Sequence, residues 1–327
     1  PIMSDIDYTK LPFTSGDKGN MHYLEWRPTE PVLWLHIMHG MSEHSARYDD
    51  FARFLNTHNI MVTAGDHRGH GQTGKSMGKS YHVANENGWN QMIDDQWQLL
   101  RHIDSQNDLP LVILGHSMGS FMATHLCQKY HVGLNALLGS PLSAVILSGS
   151  NYANSATWKI ASLIARIERF RVGRAHPSSL LEKISFGHFN NAFKPTRTSS
   201  DWLSRDPDIV DAYIADPLCG GPLTSQSWCD FLIGMSELSQ TKSMAKLDKN
   251  LQIHLFAGQD DPVSNQSKGI IALEKVLLNA GISNVKKTIY PKARHEILNE
   301  TNRSDVYRDV VTWLASLGFG ISDPNKD

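Results

Sequence analysis

Short, dense apolar runs alternate along this chain with longer stretches whose apolar residues recur every three or four positions. The runs are NMHYLEWRP (20–28), VLWLHIMHG (32–40), IMVTAGD (60–66), LPLVILG (109–115) and SAVILSGS (143–150). Each has the length of a strand. The first alternates apolar and polar residues and predicts a half-exposed strand. The others are denser and predict strands buried on both faces. Between them, SARYDDFARFLNTHN (45–59) carries Tyr48, Phe51, Phe54 and Leu55 at helical spacing. NQMIDDQWQLLRHI (90–103) is amphipathic with the same period, and a further helical run follows residue 117.

Strand and helix in this order predict an α/β protein with a mostly parallel central sheet flanked by helices on both faces. The rhythm breaks between about 150 and 217, where no strand pattern stands out. An apolar-basic helix, ATWKIASLIARIERF (156–170), is followed there by Ser-, Asn- and Pro-rich connections. Alternation returns at LQIHLFAGQDDP (251–262), SKGIIALEKVLLNAG (267–281), VKKTIYPKARHE (285–296) and DVYRDVVTWLASLG (305–318). The expected organisation is a first core part over 1–149, an insertion over 150–217 and a second core part over 218–327. On the inserted helix, Trp158, Ile160, Leu163, Ile164, Ile167 and Phe170 lie largely on one face, beside Arg166 and Arg169. That stripe predicts a face that covers the core, with one or two residues lining a pocket.

Composition then removes several classes of function. Of 327 residues, 40% are hydrophobic and 20% charged, which is ordinary for a globular chain. Net charge is −2, from 31 basic and 33 acidic residues, with no basic cluster, so a nucleic-acid partner is not expected. Cys127, Cys219 and Cys229 form no CxxC pair. A disulfide framework and a zinc knuckle are therefore not expected, and a reducing compartment fits best. Residues 1–20 lack the apolar segment of a signal peptide, and no run of about 18 apolar residues predicts a membrane span.

The chemistry concentrates where LPLVILG meets the next helix. Gly115-x-Ser117-x-Gly119, between a strand and a helix, is the pattern of a nucleophile elbow. The turn is tight, so glycines flank the serine, whose hydroxyl stands clear at the carboxyl edge of the sheet. A serine needs a base, and the base an orienting acid, here in the chain order Ser, Asp or Glu, His. LFAGQDDPVS offers Asp260 and Asp261 just past a strand, and YPKARHEIL offers His295 past the next. Asp261 is preferred because it precedes Pro262, where the chain turns away. Two backbone N–H groups must meet the oxyanion. Met118 follows the nucleophile, and Met41, next to Gly40 in HGMSEH, is the natural second donor. GDHRGHG (65–71) holds His67 and His70, but its glycines and the lack of a carboxylate at helical interval point to a hydrogen-bonded loop rather than a metal site. GHGQTGKS has the wrong glycine spacing for a phosphate loop.

Together, HIMHGMSEHSARYDDFARFL, GDHRGHGQTGKS, LGHSMGS, DPLCGG, GQDDPVS and ARHEILNE resemble the monoacylglycerol lipase and bacterial lysophospholipase branch of the α/β-hydrolases, over about residues 20–315. FNNAFKPTRTSSDWLSRDP (189–207) is similar to the bacterial lysophospholipase-type members. The resemblance implies the α/β-hydrolase fold, with 150–217 as a helical cap over an acyl-binding cleft. It implies a triad of Ser117, Asp261 and His295, with the Met41 and Met118 amides as oxyanion hole. The implied activity is hydrolysis of carboxylic esters through an acyl-enzyme, without cofactor or metal. The implied substrates are monoglycerides, lysophospholipids or simple esters. A cytoplasmic protein is expected, with transient contact to a membrane surface through the cap. Acyl transfer, small-substrate peptidase activity and perhydrolysis are the alternatives on this scaffold. A non-catalytic binding protein is opposed by the three filled triad positions. Dehalogenase and epoxide-hydrolase chemistry is opposed by Ser117, because their elbows carry a nucleophilic aspartate.

Overall fold

The computed structural model describes residues 7–137, 139, 141–322 and 324, with 131–137 as backbone; residues 1–6 of the segment read for a signal peptide lie outside it. The elements are β1 (Thr9–Pro12), β2 (Asn20–Trp26), β3 (Leu33–Met38), α1 (Asp49–Asn56), β4 (Ile60–Gly65), α2 (Gly71–Ser76), α3 (Gly88–Asp104), β5 (Leu111–His116), α4 (Met118–Leu137) and β6 (Leu142–Ser148). Five helices follow, α5 (Ser155–Val172), α6 (Ser179–Ile184), α7 (Phe186–Phe189), α8 (Pro207–Ala215) and α9 (Ser225–Leu238). The short α10 (Thr241–Met244) leads to β7 (Gln252–Gly258), α11 (Lys268–Asn279), β8 (Val285–Tyr290) and α12 (Arg303–Ser316).

Eight strands form one sheet in the order β1-β2-β4-β3-β5-β6-β7-β8. From β4 to β8 every pairing is parallel, while β2 runs antiparallel to both β1 and β4. β5 lies near the middle and is buried on both faces, which explains its unbroken apolar run. Alternate β5 residues feed two cores. Leu111 and Ile113 pack with α3, α4 and α11, whereas Val112 and Leu114 pack with α1 and α12.

Two expectations at the N-terminal edge need correcting. β1 was not foreseen, because four residues ending in Pro12 carry too little pattern. β2 is not half-exposed: Met21 to Leu24 are buried, because β1 and β4 flank it and side chains from both faces are covered. At the carboxyl edge, the loops after β3, β5, β6, β7 and β8 converge. Residues 39–44, Ser117, Asn151, Asp261 and His295 belong to those five connections.

Candidate active site

β5 passes into α4 through a single residue, Ser117, with φ of +51°. A side-chain-bearing residue in the left-handed region is strained and needs its surroundings to hold it. The Ser117 N–H donates to the Ser148 carbonyl at 2.9 Å, and Ser120 Oγ donates to the Ser117 carbonyl at 2.6 Å. The flanking glycines are steric necessities. A β-carbon on Gly115 would lie 2.2 Å from the Gly119 carbonyl oxygen, and one on Gly119 would lie 1.9 Å from that of Met38. The turn leaves Ser117 partly accessible at the start of α4, where the first N–H groups, Met118 among them, have no intrahelical acceptor.

His295 and Asp261 meet from the ends of β8 and β7. His295 Nδ1 lies 3.0 and 3.1 Å from the two Asp261 carboxylate oxygens, and both residues are buried. A carboxylate only accepts, so Nδ1 carries the proton and Nε2 is left with a free lone pair. Asp261 Oδ1 also accepts from the Val263 N–H at 2.9 Å. Asp260, the alternative acid, is half-exposed on the neighbouring turn. Burial would push the His295 pKa down, but the Asp261 carboxylate, with Glu296 and Glu43 further off, outweighs it and raises the value above the ordinary one. The His295 ring lies 4.8 Å, centroid to centroid, from the ring of His116, the residue before Ser117. Burial holds His116 neutral, its pKa down at about 4.

The loop after β3 touches the elbow: a β-carbon on Gly40 would lie 3.2 Å from Ser117 Cβ. The Gly40 N–H donates to Glu43 Oε1 at 2.5 Å, and Tyr48 donates to the same oxygen at 2.8 Å. Arg47 bridges Glu43 Oε2 at 2.7 Å and both oxygens of Glu296, at 2.6 and 2.8 Å. Burial would raise the Glu296 carboxyl, yet Arg47 brings it down to about 2. This buried ion cluster ties the Met41 loop to the residue after His295. Sequence reasoning did not single out Glu43, Arg47 or Glu296, since charged residues on a surface helix and in a loop look the same as these.

Met41, Ser117 and Met118 share the floor of a cavity of about 320 Å³. Its walls are apolar: Phe121 from α4, Trp158 and Ile164 from α5, Ile184 from α6, and Phe186 and Trp202 from the stretch after it. Trp228, Phe231 and Leu232 of α9 complete it. These three were missed, although Trp228, Phe231, Leu232 and Met235 recur at helical spacing. None of the described residues lining the cavity is charged.

The helix α5 corrects a further expectation. Its apolar stripe does not cover the core. Ile160, Leu163, Ile167 and Phe170 are 66, 58, 60 and 95% exposed. The opposite face, with Ala161, Ser162 and Ala165, packs along α9, because small side chains let two helices approach closely. Glu168 on that face is satisfied by Ser178 Oγ at 2.7 Å and by Arg171. Trp158 and Ile164 do line the cavity, as one or two residues of the stripe were expected to.

In GDHRGHG, the Asp66 carboxylate accepts from Ser45 and from the Gln72 N–H, and Arg68 pairs with Asp95 and Asp17. His67 and His70 belong to a buried hydrogen-bonded loop. Among the described residues, His44, Asp216 and Cys219 bring ligand-type atoms within 4.8 Å of one another. His44 Nε2 donates to Asp216 at 2.8 Å, so two of the three groups already partner each other, and burial raises the Cys219 thiol.

The profile of the Hydrolase_4 family (serine aminopeptidase, S33) matches residues 29–302. A monoacylglycerol lipase of Mycolicibacterium smegmatis is 26% identical over 297 residues, 90% of this chain and 92% of its own length. A putative monoglyceride lipase of Schizosaccharomyces pombe is 37% identical over 309 residues, 90% of this chain and 71% of its own. Among solved structures, a thermostable carboxyl esterase from Bacillus coagulans superimposes with a TM-score of 0.84 at 27% identity, over 95% of this chain and 98% of that one. The elbow, the sheet order and these matches agree: the chain belongs to the Hydrolase_4 (serine aminopeptidase, S33) family and is an α/β-hydrolase of the monoacylglycerol lipase-like kind.

Proposed function

We propose that this chain hydrolyses monoacylglycerols and similar monoacyl esters through an acyl-enzyme on Ser117. The observation that carries the reading is the uncharged apolar cavity whose floor is Ser117, with the Asp261-bound imidazole of His295 at the same rim. The acyl chain lies among Trp158, Phe186 and Phe231, and its carbonyl meets Ser117 Oγ. His295 Nε2 takes the serine proton as the C–O bond forms. The carbonyl oxygen becomes an oxyanion, received by the Met41 and Met118 N–H groups. His295 then returns the proton to the departing alcohol. A water molecule, deprotonated by the same nitrogen, releases the fatty acid and restores Ser117. Asp261 keeps the imidazole in its Nδ1–H form and stabilises its cation.

A peptidase reading is less well supported. A free substrate amino group needs a carboxylate partner when it is taken out of water, and the described lining of this cavity offers none. Residues 150–217, together with α9, act as the cap over the acyl site. The outward stripe of α5, continued by the exposed Leu180 and Ile184 of α6, supports a further role: resting on the lipid surface that presents the substrate. Ile164 and Ile184 belong to both the stripe and the cavity wall, so that surface leads into the acyl site. Among the described residues no helix is long and apolar enough to cross a membrane.

The test is turnover of a monoacylglycerol, a lysophospholipid and p-nitrophenyl esters of graded chain length by the wild type and Ser117→Ala. The monoacylglycerol and the longer esters are expected to be cleaved by the wild type only, and a fluorophosphonate probe to label the wild type only. Equal turnover by both proteins would refute the assignment.

A further inference from the structure

Six buried side chains form one continuous hydrogen-bonded line from the middle of the sheet to the Met41 loop. Trp34 Nε1 contacts Thr63 Oγ1 at 2.7 Å, and Thr63 Oγ1 lies 2.8 Å from His36 Nδ1. His36 Nε2 lies 2.9 Å from Gln96 Oε1, and Gln96 Nε2 lies 3.1 Å from His67 Nδ1. His67 Nε2 reaches the His39 carbonyl at 2.9 Å, while the His67 backbone N–H reaches His39 Nε2, also at 2.9 Å. Finally, His39 Nδ1 lies 2.7 Å from the Gly40 carbonyl. None of the six side chains has meaningful contact with water.

The ends of the line fix the position of every proton in it. An indole N–H only donates and a carbonyl only accepts. Because a peptide N–H points at His39 Nε2, that nitrogen is bare and Nδ1–H donates to Gly40. His67 faces a carbonyl with Nε2, so Nε2 carries its proton and Nδ1 accepts from the Gln96 amide. Gln96 Oε1 must then accept from His36 Nε2–H, and His36 Nδ1 accepts from the Thr63 hydroxyl, which accepts from Trp34. All seven links run in one direction without a clash. Burial keeps the three imidazoles neutral: His36 falls to about 4, His67 to about 3, and His39 well below its ordinary value.

The last link bears on the reaction. The Gly40 carbonyl and the Met41 N–H belong to one planar trans peptide and point in opposite directions. Whatever holds the carbonyl also aims the N–H. The His39 carbonyl, held by His67, lies over the elbow, where a β-carbon on Gly119 would approach it to 2.6 Å. We infer that His39 is a positioning residue, and that the line from Trp34 to His39 locks the Gly40–Met41 peptide so that its N–H faces the oxyanion before substrate arrives. The inference rests on the ester-hydrolase reading above, and specifically on Met41 as an oxyanion donor. A donor locked in advance needs no reorganisation in the transition state, which is where such a group contributes most.

Three variants and one spectrum test it. Asn places its amide nitrogen at the distance of imidazole Nδ1 and keeps the donor to Gly40; Leu removes it. His39→Leu is expected to lower kcat on a p-nitrophenyl ester about 100-fold, the scale of one oxyanion donor. KM should stay within a factor of about two, since the contact matters only in the transition state. His39→Asn should recover most of kcat. The affinity of a boronic acid, which mimics the tetrahedral species, should fall in step with kcat across the two variants. Equal kcat loss in Asn and Leu, or unchanged kcat in Leu, would overturn the inference. Ser117→Ala, run alongside, separates this from failure of the hydrolase reading itself: an active Ser117→Ala refutes that reading, and an inactive one leaves the His39 result to stand alone. Should His39→Leu fail to fold, long-range ¹H–¹⁵N spectra of the wild type decide. They are expected to give the Nδ1–H form for His39 and the Nε2–H form for His36 and His67. An Nε2–H form at His39 would break the line.

Discussion

The rim of the sheet and the helix α5 meet at one cavity, yet they are built from opposite materials. At the rim, polar side chains are buried: His39, His67, Glu43, Glu296, Asp261 and His295 are all out of solvent. On α5, apolar side chains are out in water, with Phe170 at 95% exposure. Each arrangement is costly unless something compensates. At the rim the compensation is visible, because these groups have hydrogen-bond partners within the protein and a satisfied buried network permits one geometry. On α5 it is not visible among the described residues, and an apolar stripe points outward to whatever covers it. The difference separates precision from adaptability: the rim fixes atoms, and the helix above it offers a surface.

That contrast is sharpest at Asp261. Asp261→Asn keeps the shape of the pair but lets an amide face His295, so the wrong imidazole nitrogen carries the proton. A fall in kcat of about 10⁴-fold is expected, with little change in substrate KM, read by steady-state kinetics on a soluble ester. A fall of less than tenfold would remove Asp261 from the triad. The same pair sets the pH dependence. His295 works as a base only when neutral, and its pKa in the folded protein lies above the ordinary 6.5. Activity should therefore be full at alkaline pH and fall as the pH drops through that raised value, so the acid limb of kcat/KM lies above 6.5. An acid limb below the ordinary histidine value would contradict the pairing.

Gly119→Ala tests the steric side of the rim. Its methyl would meet the Met38 carbonyl oxygen at 1.9 Å, and that oxygen is backbone in a central strand, unable to step aside. A loss of about 3 kcal/mol is expected, which in a chain of this size lowers Tm by roughly 5–10 °C. An unchanged melting curve would mean that the elbow is looser than its contacts suggest.

These two regions were not equally readable in the sequence. The elbow was legible because its glycines answer a local steric demand, and Ser117 is two residues from each of them. Asp261 and His295 were legible through chain order and strand ends, though only the 3.0 Å contact separates Asp261 from its neighbour Asp260. The parallel sheet followed from strand runs such as 109–114, while β1 was too short to leave a pattern. The line from Trp34 to His39 was invisible, since it joins β3, β4, α3 and the loops after β3 and β4, and only folding brings Thr63 and Gln96 to His36. For α5, periodicity specified a helix with one apolar face but could not say which way that face turns. A small-residue face, with Ala161 and Ala165, packs along α9, where short side chains let the two helices approach closely.

The smallest expected effect therefore discriminates best between the two orientations of α5. If the stripe faced the core, Ile167→Ser together with Phe170→Ser would remove buried side chains and cost several kcal/mol, at about 2–5 kcal/mol for each. With Ile167 and Phe170 at 60 and 95% exposure, each substitution should stay within about 0.5 kcal/mol of the wild type in denaturant unfolding. Neither residue lines the cavity, so kcat/KM on a soluble p-nitrophenyl ester should not change. What should change is the interfacial step. Each side chain forfeits up to about 2 kcal/mol of apolar transfer when it no longer enters lipid, so co-sedimentation with monoacylglycerol-doped vesicles should weaken about tenfold or more, and hydrolysis of that vesicle substrate should fall with it. Unaltered vesicle binding beside unaltered stability would leave the stripe exposed but remove lipid as its partner; a collapse in stability would turn the helix around.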